Sequence, residues 1–386
     1  MKNLLTLIFF TICFCCSNSV AQVAMNNFDI IKPTSELKLK IPSEKGFRCM
    51  GLTYEYDKPT LLYFDYDKFV LKTISILDKK EKTFDLKVSI DTAILNNDFL
   101  DDVVLLKDNT VLLLFGEHFI TLKGDKIIFN KKINEPINDQ WPHHTISNFH
   151  CGVSHLLLDR TSNIAYVRIV ATDTDGCTKP YFENEILGAY HIDKNELEIL
   201  PIYYPDFYTK HYVGDIEGLQ ICPYNDKLII TFIATPEGLI FDYKTKQVQK
   251  ITLPKSKLDV VPPKWFDFGI PLPIEIRLDH LVETRLYEKL LVMPNNMGFV
   301  RFYLDAITLK KSNGTINNAM DKTHTMQVLN PDFSLKQEFL MPNNYYSSYQ
   351  TFVYKNNLYI NNFLDDASDK TNFHFGVFSI DSLFGK

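Results

Sequence analysis

Residues Gly218–Pro254 read GLQICPYNDKLIITFIATPEGLIFDYKTKQVQKITLP, and four short apolar runs stand out in them. They are Leu219-Gln220-Ile221-Cys222, Lys227-Leu228-Ile229-Ile230-Thr231-Phe232, Gly238-Leu239-Ile240-Phe241-Asp242 and Val248-Gln249-Lys250-Ile251-Thr252-Leu253-Pro254. Each run has strand length and is rich in residues that suit a pleated, half-buried surface. Four strands in fewer than 40 residues make one blade of a β-propeller, a unit that is repeated around a ring to bury its faces.

The same rhythm recurs outward in both directions. Blade one runs from Phe47 through Leu61-Leu62-Tyr63-Phe64 and Thr73–Asp78 to Phe84–Val88. Blade two holds Val103–Leu106, Val111–Phe115, Phe119–Leu122 and Ile127–Asn130. Blade three begins near His150 and passes through Ala165–Val170 and Leu187–Asp193 to Leu197–Pro201. Blade five holds Lys289–Met293, Thr325–Leu329 and Lys336–Pro342, and blade six Thr351–Tyr354, Asn357–Ile360 and Phe375–Asp381. Blade six is one strand short. Leu37-Lys38-Leu39-Lys40-Ile41-Pro42, near the other end, ends as the fourth strands Lys250–Pro254 and Glu338–Pro342 do. An N-terminal strand that completes the last blade would close the ring and cover an open sheet edge. The expected fold is therefore all-β, a six-bladed propeller. Seven blades is the alternative, because residues 255–324 are long enough to hide a divergent one.

Composition agrees with this reading. Aromatic residues make up 13% of the chain, with 29 Phe and 20 Tyr, as strand-rich proteins favour. The roughly 365 residues after position 21 exceed one ordinary hydrophobic core. With no linker-like break, one continuous repeat domain over 22–386 is preferred to several. A net charge of −6 argues against nucleic acid as a partner, which needs a clustered basic surface.

Lys2, the apolar run Leu4–Phe14 and the small residues that follow make residues 1–21 a secretory signal peptide, too short for a membrane span. Two processing routes fit. Ser19-Val20-Ala21 offers a cut before Gln22, whereas Cys15 or Cys16 could carry the lipid of a lipoprotein, with an anchor in the outer membrane. Either route makes the body extracytoplasmic, in the periplasm or anchored to the outer membrane. Cys49, Cys151, Cys177 and Cys222 remain in the mature chain, where disulfides are permitted and three pairings are open. Cys151 with Cys177 would tether a polar loop; alternatively, cysteines in apolar runs serve as small core residues.

The export signal, the Leu- and Tyr-rich second strands, the third strands ending in Asp and the Leu-Pro or Met-Pro closings together resemble the six-bladed, TolB-like propeller lipoproteins of unknown function from Bacteroides-type bacteria. The resemblance spans the whole mature chain. It implies a cell-envelope protein and brings no catalytic residues with it.

Ligand sites of propellers lie on the loops of one face. Tyr203-Tyr204-Pro205-Asp206-Phe207-Tyr208, with His211 and Tyr212, is the leading candidate. Exposed rings offer flat faces to sugars or peptide side chains, and Asp206 could fix hydroxyls or an amine. Trp265-Phe266-Asp267-Phe268 could join from a second loop. The structural alternative is that these rings pack between blades. Glu217 precedes a strand, as metal-binding glutamates of some propeller enzymes do, yet Glu217-Gly218-Leu219 is echoed by Glu237-Gly238-Leu239, as a repeated turn would be. Trp141-Pro142-His143-His144, His150 and His155 lack a recognised ligand spacing. Asp173-Thr174-Asp175-Gly176 opens like a calcium loop but lacks its closing Glu and reads as a turn. Asn313-Gly314-Thr315 matches a glycosylation acceptor and equally a turn. No metal or cofactor is expected. Two functions remain open: a non-catalytic envelope binder or scaffold for a glycan, peptide or protein, and a propeller hydrolase or lyase. The latter would gather Glu217, His211, His150 and Asp173 from several blades.

Overall fold

The computed structural model describes residues 29–385 other than 41–46, 56–57, 89, 91–99, 107–109, 116–117, 125, 133–143, 147–155, 160–161, 172–173, 215, 257–263, 343–345 and 363–371. Six small antiparallel sheets form a six-bladed β-propeller. Blade one spans Phe47–Glu55, Lys58–Asp65, Val70–Ser75 and Glu81–Asp85; blade two Leu100–Leu105, Thr110–Phe115, His118–Lys123 and Lys126–Lys132. In blade three His144–Ile146 and Leu156–Asp159 both pair with Ile164–Ala171, followed by Leu187–His191 and Glu196–Ile199. Blade four is Leu219–Tyr224, Lys227–Phe232, Glu237–Asp242 and Gln247–Thr252; blade five Leu286–Val292, Phe299–Leu304, His324–Leu329 and Leu335–Leu340. Blade six is Tyr346–Tyr354, Asn357–Asn362 and Asn372–Ser379, completed by Ser35–Lys40, whose register runs from Ser35 opposite Val377 to Lys40 opposite Asn372.

Alternation along each strand explains how the ring coheres. Successive side chains point to opposite faces, so Leu61 and Tyr63 pack on blade six with Phe352 and Phe375, while Leu62 and Phe64 pack on blade two with Val103 and Leu113. Six apolar clusters result, one for each blade-to-blade interface. Second strands have neighbours on both faces and read as unbroken apolar runs, as in the wholly buried Thr110–Phe115. Fourth strands lie at the rim and are mostly exposed, as in Gln247–Thr252.

The expected six blades are present, and the alternative of a seventh falls away. The described residues of 255–324 form a connection with the helix Ile274–Glu283, the first two strands of blade five and a long loop, and no seventh blade. The strand Phe299–Leu304 was not anticipated, because Arg301 interrupts its apolar run. The last strand of blade one is Glu81–Asp85, and Leu86–Val88 is a 3-10 turn.

Cys177 and Cys222 are free and buried, so Cys177 is not tied to Cys151, which lies outside the described residues. Burial raises the Cys177 thiol above its ordinary value and pushes Cys222 up to about 12. Both should resist alkylation at pH 8 until denaturant is added. Rapid native labelling at either position, mapped by mass spectrometry, would contradict their burial.

Candidate functional site

Antiparallel strands in chain order place the first-to-second and third-to-fourth turns on one face of the ring and all other connections on the opposite face. The first face is built of tight turns, several of which contain Asn or Lys in the left-handed region: Asn163, Asn195 and Asn225 at φ 55°, Lys246 at 57° and Lys355 at 51°. The second face is elaborated at blades three to five by residues 172–186, 200–218, 253–285 and 305–323. These connections hold one another. Tyr212 and Phe266 form an antiparallel bridge, Gly269 N–H donates to the Cys177 carbonyl at 2.8 Å, and Ile307 N–H donates to that of Val282 at 3.2 Å. The Lys322 ammonium donates to the Leu281 carbonyl at 2.7 Å and to that of Thr284, capping the last turn of the helix Ile274–Glu283.

Beneath this cap lies a buried ion pair. Arg168, near the end of its strand in blade three, donates through Nη2 to Glu217 Oε1 at 2.8 Å, to the Tyr204 hydroxyl at 3.0 Å and to the Tyr181 hydroxyl at 3.2 Å. Tyr181 donates to the same carboxylate oxygen at 3.1 Å, and Tyr204 to the Glu217 carbonyl at 3.2 Å. Burial opposes the Arg168 charge, but Tyr204, Glu217 and Tyr181 outweigh it and hold the guanidinium firmly protonated. Glu217 is thus engaged in joining blades three and four, with 8% of its side chain exposed.

The aromatic candidates divide. Tyr204 and Tyr208 are buried, 6% and 0% exposed, with ring centroids 4.8 Å apart and Phe182 and Phe232 beside them. The expectation of exposed rings at these two positions is corrected: each finds an apolar cavity wall from another blade and a partner for its hydroxyl, which for Tyr208 is the Ala234 N–H at 3.2 Å. His211 and Trp265 are half-buried at the rim, packed on Phe207 at 5.1 and 5.0 Å. Asp206 is exposed and paired with Lys250 at 3.0 Å, whose hydrogen bond lowers its carboxyl below the usual range. The structure therefore brings Tyr204, Tyr208, His211, Glu217 and Trp265 into one cap and leaves Asp206 on its outside.

Among the other candidates, Trp141, His143, His150, His155 and Asp173 lie outside the described residues, and His144 is placed only as the start of a short strand. Asp175 accepts from Cys177 N–H at 3.1 Å and Asn313 from Thr315 N–H at 3.0 Å, as turn residues do. Among the described residues no three His, Cys, Asp or Glu side chains converge to hold a metal. A polar cluster that the sequence did not suggest lies on the tight-turn face. Glu198 there accepts from Tyr243 at 2.6 Å and Lys246 at 2.8 Å, with His191 at 3.0 Å. Burial would raise the Glu198 carboxyl, but these hydrogen bonds pull it down to about 2.

No family model matches the chain, and no curated protein matches it. Among solved structures, a member of the DUF4221 family from Bacteroides vulgatus superposes with a TM-score of 0.63 at 16% identity, covering 89% of this chain and 96% of that one. A luciferin-regenerating enzyme follows with a TM-score of 0.45 at 11% identity, over 90% and 96% of the two chains. A streptogramin B lyase gives 0.40 at 9% identity, over 88% and 96%. At such identities the first of these likenesses shows a shared fold, and this chain is similar to an uncharacterised Bacteroides propeller in architecture.

Proposed function

We propose that this chain is a non-catalytic binding propeller of the cell envelope, exported by residues 1–21, lipidated at Cys15 or Cys16 or released after Ala21, and holding a ligand on its elaborated face. One observation carries the reading. Of the ten large apolar side chains exposed among the described residues, Ile270, Ile274, Ile276 and Leu278 lie within nine residues of one connection, at 63%, 55%, 43% and 57% exposure. Ile274 and Leu278, four residues apart, share one face of the helix Ile274–Glu283, and neighbouring exposed aliphatics mark an interaction site where scattered ones would not.

The chemistry of this segment favours a peptide or protein over a glycan. Sugars stack on flat rings, and Tyr204 and Tyr208 are buried. Glu275 and Asp279 are exposed beside the aliphatic side chains, which suits a partner with apolar residues flanked by basic ones. His211 and Trp265 would border the same ligand.

Parallel peptide and glycan arrays, probed with the wild type and with Ile274→Asp/Leu278→Asp, test this. Binding to apolar-basic peptides should fall at least about tenfold in the double variant, with the melting temperature little changed because both side chains face solvent. Glycan binding that survives the substitutions, with no peptide binding, would overturn the assignment.

A further inference from the structure

The polar cluster of the tight-turn face lies where the outer strands of blades three and four meet. His191 ends the third strand of blade three, Glu198 lies in its fourth, and Tyr243 follows the third strand of blade four. His191 stands opposite Glu196, two residues before Glu198, and alternate residues of a strand point the same way. His191 and Glu198 therefore share one face of their hairpin. Tyr243 is aimed at them by its turn. Asp242 Oδ1 accepts from the Lys244 and Thr245 N–H groups at 3.0 Å each, and Lys246 takes the left-handed conformation that closes the turn. The Tyr243 ring also packs edge-on against the buried Phe241 at 6.1 Å.

Three polar atoms converge there. Tyr243 Oη lies 2.6 Å from Glu198 Oε2, His191 Nε2 lies 3.0 Å from the same carboxylate oxygen, and Tyr243 Oη lies 3.0 Å from His191 Nε2. Three such contacts call for three hydrogens. The phenol supplies one, the imidazole nitrogen at most one and the carboxylate none, so one edge of the triangle always lacks a hydrogen of its own. A cation bound to all three atoms removes that conflict. Lys246 does not take this place: its ammonium sits on the other carboxylate oxygen, Oε1, at 2.8 Å and lies 3.8 Å from the Tyr243 ring centroid. The side chains of His191 and Glu198 are 20% and 38% exposed, so solvent reaches the cluster.

We propose that His191, Glu198 and Tyr243 form a site for one ferric ion, bound on one side of the triangle through Nε2, Oε2 and the phenolate oxygen. Metal bonds of roughly 2.1 Å at right angles set neighbouring donors about 3.0 Å apart. Two edges of the triangle already have that length, and the third opens slightly. A phenolate and a carboxylate beside an imidazole suit a hard trivalent ion better than a soft one. As the oxygen–iron bond forms, Tyr243 releases its phenolic proton to solvent, and the neutral imidazole carries its hydrogen on Nδ1 so that the Nε2 lone pair faces the metal. Iron keeps its oxidation state throughout. Lys246 stays on Oε1 and holds the carboxylate with Oε2 turned inward. Tyrosine thus gives the ligand that a third His, Cys, Asp or Glu would otherwise supply. The site is on the face opposite the aliphatic segment, and neither depends on the other.

The test titrates the mature chain, residues 22–386, with ferric nitrilotriacetate. A phenolate bound to iron(III) absorbs visible light, so a new visible band that saturates at one equivalent is expected, with iron retained through gel filtration. Tyr243→Phe keeps the ring and its packing and should abolish the band. His191→Gln should weaken iron binding about tenfold or more, and the melting temperatures of the metal-free variants check that both are folded. Should Tyr243→Phe not fold, Glu198→Gln decides in its place, with loss of the band expected and an unchanged band counting against the site. The absence of both a band and retained iron in the wild type, or an equal band in Tyr243→Phe, would overturn the proposal. Retention of zinc(II) without iron would overturn the ferric assignment.

Discussion

Replacing Leu39 with Asp should destabilise the whole ring, and removing residues 35–40 should abolish its cooperative unfolding. Leu39 is 2% exposed and packs with Leu61, Tyr63, Phe352 and Phe375 across the junction of blades one and six. Truncating a buried leucine to alanine costs about 2–5 kcal/mol, and an unpaired carboxylate in the same place adds its desolvation. Deleting the strand also exposes the edge of Asn372–Ser379 and frees Phe373 and Phe375 from a pairing of six residues, which invites edge-to-edge aggregation. Further contacts hold the same segment: Thr34 Oγ1 donates to the Val377 carbonyl at 2.9 Å and Ile31 N–H to that of Leu340 at 3.1 Å. Urea melts followed by tyrosine fluorescence and far-ultraviolet circular dichroism would measure both variants. A truncated chain with an unchanged midpoint would show that the ring closes elsewhere.

Glu217→Ala should be the most damaging single substitution on the elaborated face. It leaves Arg168 buried and charged between Tyr181 and Tyr204, and breaking one half of a buried pair costs about 3–5 kcal/mol. Arg168→Met/Glu217→Leu should regain much of that loss, because it leaves neither charge behind. Comparing the denaturation midpoints of both single variants and the double one gives the coupling energy directly. This experiment also addresses the reading of Glu217 as a catalytic or metal-binding group. A Glu217→Gln variant that keeps the wild-type midpoint yet loses a turnover would place chemistry there and count against the binding propeller.

The blade pattern was legible because neighbouring strands in a blade are also neighbours in sequence. Leu219–Tyr224 and Lys227–Phe232 pair across a two-residue turn, so the apolar runs and their spacing report the sheet directly. The closing strand was legible for a related reason: Lys38-Leu39-Lys40-Ile41-Pro42 has the composition of a rim strand, and blade six lacked one. The strand that escaped notice, Phe299–Leu304, contains a fully buried arginine, and no rule of periodicity places a charge in the middle of a core strand.

The cap was far less legible. That Tyr204 and Tyr208 are rich in ring surface could be read from the chain, but whether those rings face solvent depends on Phe182 and Phe232, which belong to other segments. Glu217 finds Arg168 across 49 residues and Ser256 finds Glu338 across 82. The sequence by itself determined an all-β propeller, with six blades preferred to seven, and the strand that closes the ring, since hydrophobic alternation and strand spacing are local properties of the backbone. Only the tertiary structure decided that the loops of blades three to five meet on one face, that two tyrosines are buried there and that Arg301 is wholly buried in blade five. Those outcomes depend on which side chains from distant segments share a desolvated space, and no local pattern encodes that.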